Sequence, residues 1–79
     1  MERLPVKSSN IAAVGYDPTE QILEVEFKNG GIFAYQGVPA QEVVNLHGAE
    51  SVGKYLHSKI RPNFQCSKVG MVKNAGENG

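Results

Sequence analysis

Basic and polar side chains recur in one stretch of the sequence at a spacing that suits a binding surface. Lys54, His57, Ser58 and Arg61 occupy positions i, i+3, i+4 and i+7, which fall on one side of a helix. Lysine and arginine at this spacing can contact successive phosphates of a nucleic acid, and counterion release then supplies the affinity. The stretch therefore predicts a basic helix face for an anionic partner.

The predicted nucleic-acid surface comprises the start and the outer side of this helix: Ser51, Gly53, Lys54, His57, Lys59 and Arg61. Backbone N–H groups around Gly53, beside Lys54, would receive a phosphate oxygen at the helix N-terminus. His57 would add positive charge to this surface in its protonated form. An ordinary helix cap at Ser51 explains the same start without a ligand, so both interpretations stay open.

The stretch from Gly48 to Lys54 also spells GxxxxGK, the beginning of a phosphate-binding loop. The next position must be serine or threonine to hold magnesium, and here it is Tyr55. The motif should also follow a strand, whereas the residues before Gly48 predict a helix. Nucleotide hydrolysis is therefore not predicted.

Other residues that could do chemistry lack the necessary arrangement. His47 and His57 do not have the spacing of a zinc site, and Cys66 is a lone cysteine without a recognisable base. Glu24 and Glu26 share one side of a predicted strand and are interpreted as solvated carboxylates rather than an acid–base pair. The sequence predicts no catalytic residues, no metal site and no cofactor, and hence a protein that is not an enzyme.

Composition narrows the class of protein further. The chain has 79 residues, 41% of them apolar, which indicates one small domain. There is no run of about 18 apolar residues for a membrane span and no signal-peptide stretch, so a cytoplasmic location without membrane contact is expected. Residues 1–50 carry three basic and seven acidic side chains, whereas residues 51–79 carry five basic and one acidic. The second part is the candidate for an anionic partner.

These residues need a framework, which the sequence predicts as α+β: a three-stranded antiparallel meander followed by two short helices packed on one face. Alternating apolar residues and turn signals place the strands at about 9–16, 21–28 and 32–38. A Val-Pro start and a serine cap place the helices at about 39–47 and 52–60. We expect a flexible N-terminus over 1–7, a domain over 8–69 and a disordered tail over 70–79.

The turn Lys28-Asn29-Gly30 decides which face of the sheet carries the aromatic residues. A two-residue loop would put Phe33 and Tyr35 on the side of Glu24 and Glu26, because a slip of one residue flips every side chain. A three-residue loop with a left-handed glycine pairs Val25 with Phe33 and Leu23 with Tyr35, which buries far more apolar surface. The sequence predicts the three-residue loop, with both rings largely buried and Ala34 on the outer face.

The order of these features resembles the KTSC domain, a family found at the C-terminus of some lysyl-tRNA synthetases and as single-domain proteins. The resemblance covers about residues 8–64, and it rests on the following anchors: Ile11, Val14-Gly15-Tyr16-Asp17, Phe33-Ala34-Tyr35, Val38-Pro39, Ser51-Val52-Gly53-Lys54-Tyr55 and Ile60-Arg61. Phe33 stands where the YxY motif of the family has its first tyrosine, which leaves one hydroxyl fewer. The resemblance implies the fold, and the synthetase connection suggests RNA as a partner.

Two classes of function therefore follow from the sequence. One is a small non-catalytic RNA-binding domain that uses the basic second helix. The other is a protein-interaction module, an adaptor or inhibitor, that uses a sheet edge by strand addition or a helix face. RNA affinity that falls steeply with salt would favour the first class, and salt-insensitive capture of a specific protein would favour the second.

Overall fold

A computed structural model describes residues 3–72, which form an antiparallel sheet with the helices on one face. The strands lie side by side in chain order: β1 (Leu4–Pro5), β2 (Ile11–Asp17), β3 (Ile22–Phe27), β4 (Gly31–Tyr35) and β5 (Cys66–Met71). Between β4 and β5 the chain forms α1 (Ala40–His47), α2 (Val52–Tyr55) and a π-helical segment (Leu56–Ile60). We call residues 52–60 the second helix.

The α+β class and the central meander followed by two helices are confirmed, but the prediction of three strands is wrong. The described chain has a sheet of five strands, because β1 and β5 add one edge each. Neither edge strand has the alternation that marks a half-buried strand. β1 is only two residues long, and nearly all of β5 is exposed. Their pairing comes from neighbouring strands rather than from their own apolar pattern.

The predicted domain limits, 8–69, are narrower than the sheet. Leu4 and Pro5 pair with β2, and Gly70 and Met71 pair with β4. The predicted tail from residue 73 onward and the first two residues of the predicted N-terminal segment lie outside the described residues. The limits of the domain therefore stay a prediction at both ends.

The second helix begins where the serine cap predicts and changes its winding halfway. The Ser51 hydroxyl accepts a hydrogen bond from the Lys54 N–H at 3.2 Å. Farther along, the Arg61 N–H donates to the Leu56 carbonyl at 2.8 Å, an i to i+5 bond that marks a π turn. Leu56 and Ile60 remain buried through this turn, so the predicted span of 52–60 is confirmed while its regular winding is not.

The register between β3 and β4 is the predicted one. Gly30 has a φ of 100°, and its N–H donates to the Phe27 carbonyl at 2.9 Å to close the three-residue loop. Glycine adopts this left-handed conformation at little cost because it has no Cβ. The register then pairs Val25 with Phe33 and Leu23 with Tyr35, which brings the aromatic residues to the face that carries the helices.

The core lies between this face of the sheet and the helices. Its fully buried aliphatic side chains come from every layer of the fold: Ile11, Val25, Leu23, Val38, Leu46, Leu56 and Ile60. Burial of each such side chain stabilises the fold by roughly 1.5–3 kcal/mol relative to exposure. Phe64 packs against the same cluster after the second helix ends.

The outer face of the sheet carries a cluster of charges rather than a layer of helices. Arg3 donates to Glu26 at 3.2 Å and also bonds Glu24. The β1–β2 register places Arg3 opposite Gly15, whose partner in β3 is Glu24. Because Gly15 has no side chain, the arginine can pass over β2 to reach both carboxylates. Ala34 also lies on this face, as predicted, although it is only 5% exposed.

Replacement of Leu23 by alanine should lower the free energy of unfolding by about 2–5 kcal/mol, because Leu23 is fully buried and its truncation opens a cavity in the core. Val44 provides the control, since its side chain on α1 is 63% exposed. Val44→Ala should change the free energy of unfolding by no more than about 0.5 kcal/mol. Urea unfolding followed by circular dichroism measures both. Equal losses in the two variants would contradict this position of the core.

Candidate functional site

A cleft with a volume of about 250 Å³ opens between the sheet and the second helix. We call it the aromatic cleft. Its lining combines sheet, hairpin and helix residues: Phe27, Asn29, Phe33, Tyr35, Leu56, His57, Arg61 and Cys66. The β3–β4 hairpin supplies one wall and the π-helical segment supplies the other. The cleft therefore depends on the register of the hairpin and on the way the second helix crosses the sheet.

Two phenylalanine rings form the apolar part of the aromatic cleft. The centroids of Phe27 and Phe33 are 5.5 Å apart, and the ring planes meet at 83°, an edge-to-face pair. Tyr35 is buried, at 3% exposure, as predicted. Phe33 lies on the same face and packs against the core, although part of its ring lines the cleft. The prediction that both rings are largely buried therefore holds, with Phe33 covered less completely than Tyr35.

The polar end of the aromatic cleft is formed around the Tyr35 hydroxyl. Burial raises the pKa of Tyr35 to about 12, with a further increase from the Cys66 thiol and an opposing effect from the Arg61 charge. The register of β5 explains this arrangement, because Cys66 pairs directly with Tyr35 on the neighbouring strand. A hydroxyl that keeps its proton is a hydrogen-bond donor at every physiological pH.

The helical wall of the aromatic cleft carries the positive charge. His57 and Arg61 lie about one turn apart, and both side chains are exposed and line the cleft. A second cleft, of about 270 Å³, continues past His57; it shares Phe27 and Asn29 and adds Ser9, Asn10 and Lys28. Polar and basic groups therefore extend from the aromatic cleft along the hairpin.

The structure brings only part of the predicted nucleic-acid surface together. His57 and Arg61 line the aromatic cleft, whereas Ser51 lines a separate cleft beside Lys7 and Glu50. The remaining predicted residues, Gly53, Lys54 and Lys59, line none of these clefts. The Lys54 N–H is already bonded to the Ser51 hydroxyl, so this amide is paired within the chain.

Six residues that line the aromatic cleft were not predicted as site residues: Phe27, Asn29, Phe33, Tyr35, Leu56 and Cys66. The apolar ones among them were predicted on the helix face of the sheet or on the apolar side of the second helix, and hence as core. Cys66 could not be placed without β5, which has no clear signal in the sequence. Asn29 was taken only as a turn residue, and it does fill that role, since its Oδ1 accepts the Gly31 N–H at 2.9 Å.

Charge is distributed unevenly around the sheet. Within residues 3–72, the ion pairs are those of Arg3 with Glu24 and Glu26, on the outer face. Lys54, Lys59 and Arg61 are exposed on the helix side and form no ion pair with any described residue. The second helix therefore presents cations without an ion-pair partner among the described residues, while the acidic side chains on the helix side are Glu42 on α1 and Glu50 before Ser51.

Neither a metal cluster nor a membrane-spanning helix occurs in the part of the chain that the structure describes. Residues 3–72 contain no group of three or more His, Cys, Asp or Glu side chains that would hold a metal ion. None of the helices they form has the length and apolar character needed to cross a membrane. The chemistry that the aromatic cleft offers is ring contact, hydrogen bonding and positive charge.

Comparison with known proteins gives a consistent result. A family model described as the KTSC domain matches residues 7–64. The chain is 39% identical to a KTSC domain protein from Yersinia pestis of known crystal structure, with a TM-score of 0.83 and coverage of 87% of this chain and 97% of that one. It is 40% identical over 62 residues to an uncharacterised protein from Stutzerimonas stutzeri, covering 78% of this chain and 87% of the relative. A lysine–tRNA ligase from Nostoc sp. is 39% identical over 66 residues, which are 84% of this chain but 12% of the ligase.

The raised pKa of Tyr35 predicts a loss of stability at alkaline pH. The folded protein holds this proton more tightly than the unfolded chain, so the stabilisation is complete below about pH 10. It is lost as the pH rises towards the folded pKa of about 12. Wild type should therefore lose more stability between pH 10 and 12 than Tyr35→Phe does. Urea unfolding midpoints across this range measure the difference, and parallel curves for the two proteins would contradict it.

Proposed function

This chain belongs to the KTSC domain family, and from that premise we propose that it is a small RNA-binding domain. The proposed surface is the basic outer side of the second helix, with Lys54, His57, Lys59 and Arg61. The observation that carries the proposal is that Lys54, Lys59 and Arg61 are exposed and form no ion pair with any described residue, in a chain whose net charge is zero. Charge of this kind attracts the phosphates of a nucleic acid.

The placement of the other cations supports the same surface. Lys28 lies on the hairpin beside His57, and Lys68 pairs with Phe33 across the edge of the sheet next to the aromatic cleft. Arg3, by contrast, is occupied by two carboxylates on the outer face. An RNA strand that approaches the helix side meets these cations without meeting Glu24 or Glu26.

RNA is favoured over other polyanions by the relationship to the ligases. The name lysine–tRNA ligase identifies an enzyme that acts on tRNA, and a segment of that enzyme is similar to most of this chain. A segment that makes up 12% of the ligase is suited to an accessory role. We infer that the segment and this chain use the same side of the fold to hold RNA backbone.

A protein-interaction module is the second candidate, and the edge strand β5 favours it. Val69 and Met71 are 54% and 55% exposed on that strand. An exposed strand edge offers backbone N–H and C=O groups for strand addition by a partner. Binding to such an edge would depend little on salt, whereas phosphate binding depends on it strongly.

The salt dependence of RNA affinity tests the proposed function. Each phosphate contact that is lost should lower the log–log slope of affinity against salt by roughly 0.7 for a single strand. A Lys54→Ala, Lys59→Ala, Arg61→Ala variant loses up to three phosphate contacts. Its slope should therefore fall by up to three times this amount, and it should bind RNA more weakly. Fluorescence anisotropy of a labelled RNA oligonucleotide at several salt concentrations measures the slopes.

Thr19→Glu is the matched control for the single variant Lys59→Ala, because each changes the net charge by one unit. Thr19 is exposed in the turn between β2 and β3, away from the second helix. Lys59→Ala should lower the slope and Thr19→Glu should leave it unchanged. Equal effects would mean that net charge, rather than this surface, governs binding, and a wild-type protein without RNA affinity would overturn the proposal.

A further inference from the structure

The aromatic cleft lies beside the basic surface and offers chemistry that phosphate binding does not need. Phosphates call for exposed cations, but this cleft contains two phenylalanine rings and a buried tyrosine hydroxyl. We propose that the aromatic cleft holds one unpaired base of an RNA strand whose neighbouring phosphates lie on His57 and Arg61. This inference rests on the proposed function and adds the part of the RNA that the site recognises.

The size of the cleft limits what it can hold. Sites for drug-sized ligands have volumes of about 300–1,000 Å³, whereas the aromatic cleft has about 250 Å³. The volume therefore suits one flat ring system rather than a complete nucleotide. Its opening on the basic side leaves the sugar and phosphate outside, next to Arg61.

The apolar wall suits the face or edge of a base. Phe27 and Phe33 already contact each other edge to face, so a ring that enters the cleft meets one ring face and one ring edge. Phe33 is partly exposed where it lines the cleft, and a stacked base would cover that part of the ring. Base–aromatic stacking of this kind is the usual means by which proteins hold single strands.

The polar groups at the two ends of the cleft supply hydrogen bonds. The Tyr35 hydroxyl, on a side chain that is 3% exposed, shares a hydrogen bond with the Cys66 thiol. A thiol is a weak hydrogen-bond partner, which a polar group of a base could replace. At the hairpin end, Asn29 uses its Oδ1 for the turn, which leaves its amide N–H groups as donors. A base has donors and acceptors around its rim, and both protein groups can pair with them.

An unpaired base fits the cleft better than a base in a duplex. The cleft is recessed between the sheet and the second helix, so a base must leave its stack to enter. Unstacked bases in loops and single strands are the bases that proteins hold on aromatic side chains. The proposal therefore predicts a preference for single-stranded RNA over a duplex of the same sequence.

Tyr35→Phe tests the hydrogen bond, with Tyr55→Phe as its matched control. Tyr35→Phe removes one hydroxyl from the cleft and should weaken single-strand binding by about 2–10-fold, the usual range for one hydrogen bond. Tyr55→Phe removes a hydroxyl that donates to Glu42 at 2.7 Å outside the cleft, and should leave RNA affinity unchanged. Anisotropy titrations with the same labelled single strand measure both variants.

Phe33→Leu tests the ring contact independently, and it should weaken binding about 5-fold or more. Circular dichroism establishes that each variant is folded. A duplex of the same sequence and a free nucleoside monophosphate complete the set of ligands. We expect the single strand to bind best, and the monophosphate to compete for the cleft only weakly because it lacks the neighbouring phosphates.

The outcomes separate this inference from the proposed function. If RNA binding is salt-dependent and weakened by the three-cation variant, but Tyr35→Phe and Phe33→Leu bind like wild type, the cleft does not hold a base and the basic surface stands. If the monophosphate binds as well as the single strand, the cleft is a free-nucleotide site and the inference is overturned. If wild type binds no RNA, the proposed function fails and this inference fails with it.

Discussion

The left-handed glycine that ends the β3–β4 loop is the constraint on which the rest of the structure depends. Gly30 closes a loop of three residues, and the odd number places Leu23, Val25, Phe33 and Tyr35 on one face of the sheet. One residue fewer would turn Phe33 and Tyr35 away from Leu23 and Val25, to the other face of the sheet. The helices pack where the apolar face lies, so the core and the aromatic cleft both follow from this one turn.

The same register determines which face of the sheet carries the acidic side chains of β3. Glu24 and Glu26 must lie on the face opposite the helices, where Arg3 reaches them across Gly15. Arg3 neutralises part of the charge of these carboxylates on the outer face, whereas the cations of the second helix form no ion pair with any described residue. The sheet therefore separates these carboxylates from the cations of the second helix. A chain with no net charge can in this way present a surface that attracts phosphate.

Local signals in the sequence were sufficient to predict the three central strands and the two helices. The alternation of QILEVEFK, the turn after it and the cap at Ser51 each predicted an element that the structure contains. The edge strands were missed because their residues are exposed and do not alternate, so their pairing depends on the neighbouring strand. The omission of β5 also hid one residue of the site, Cys66. Cys66 reaches Tyr35 only through β5, and Phe33 was assigned to the core because sequence patterns show which face a residue shares but not whether another element covers it.

The position of bound RNA on the fold tests the account most directly. Amide chemical shifts of isotope-labelled protein can be followed while a short single-stranded RNA is added. We expect changes at Asn29, His57, Arg61 and Cys66 around the aromatic cleft, and constant shifts at Gly15 and Glu24 on the outer face. Changes confined to the outer face, or to Val69 and Met71 on the exposed edge, would contradict the claim that the helix side of the sheet holds the RNA.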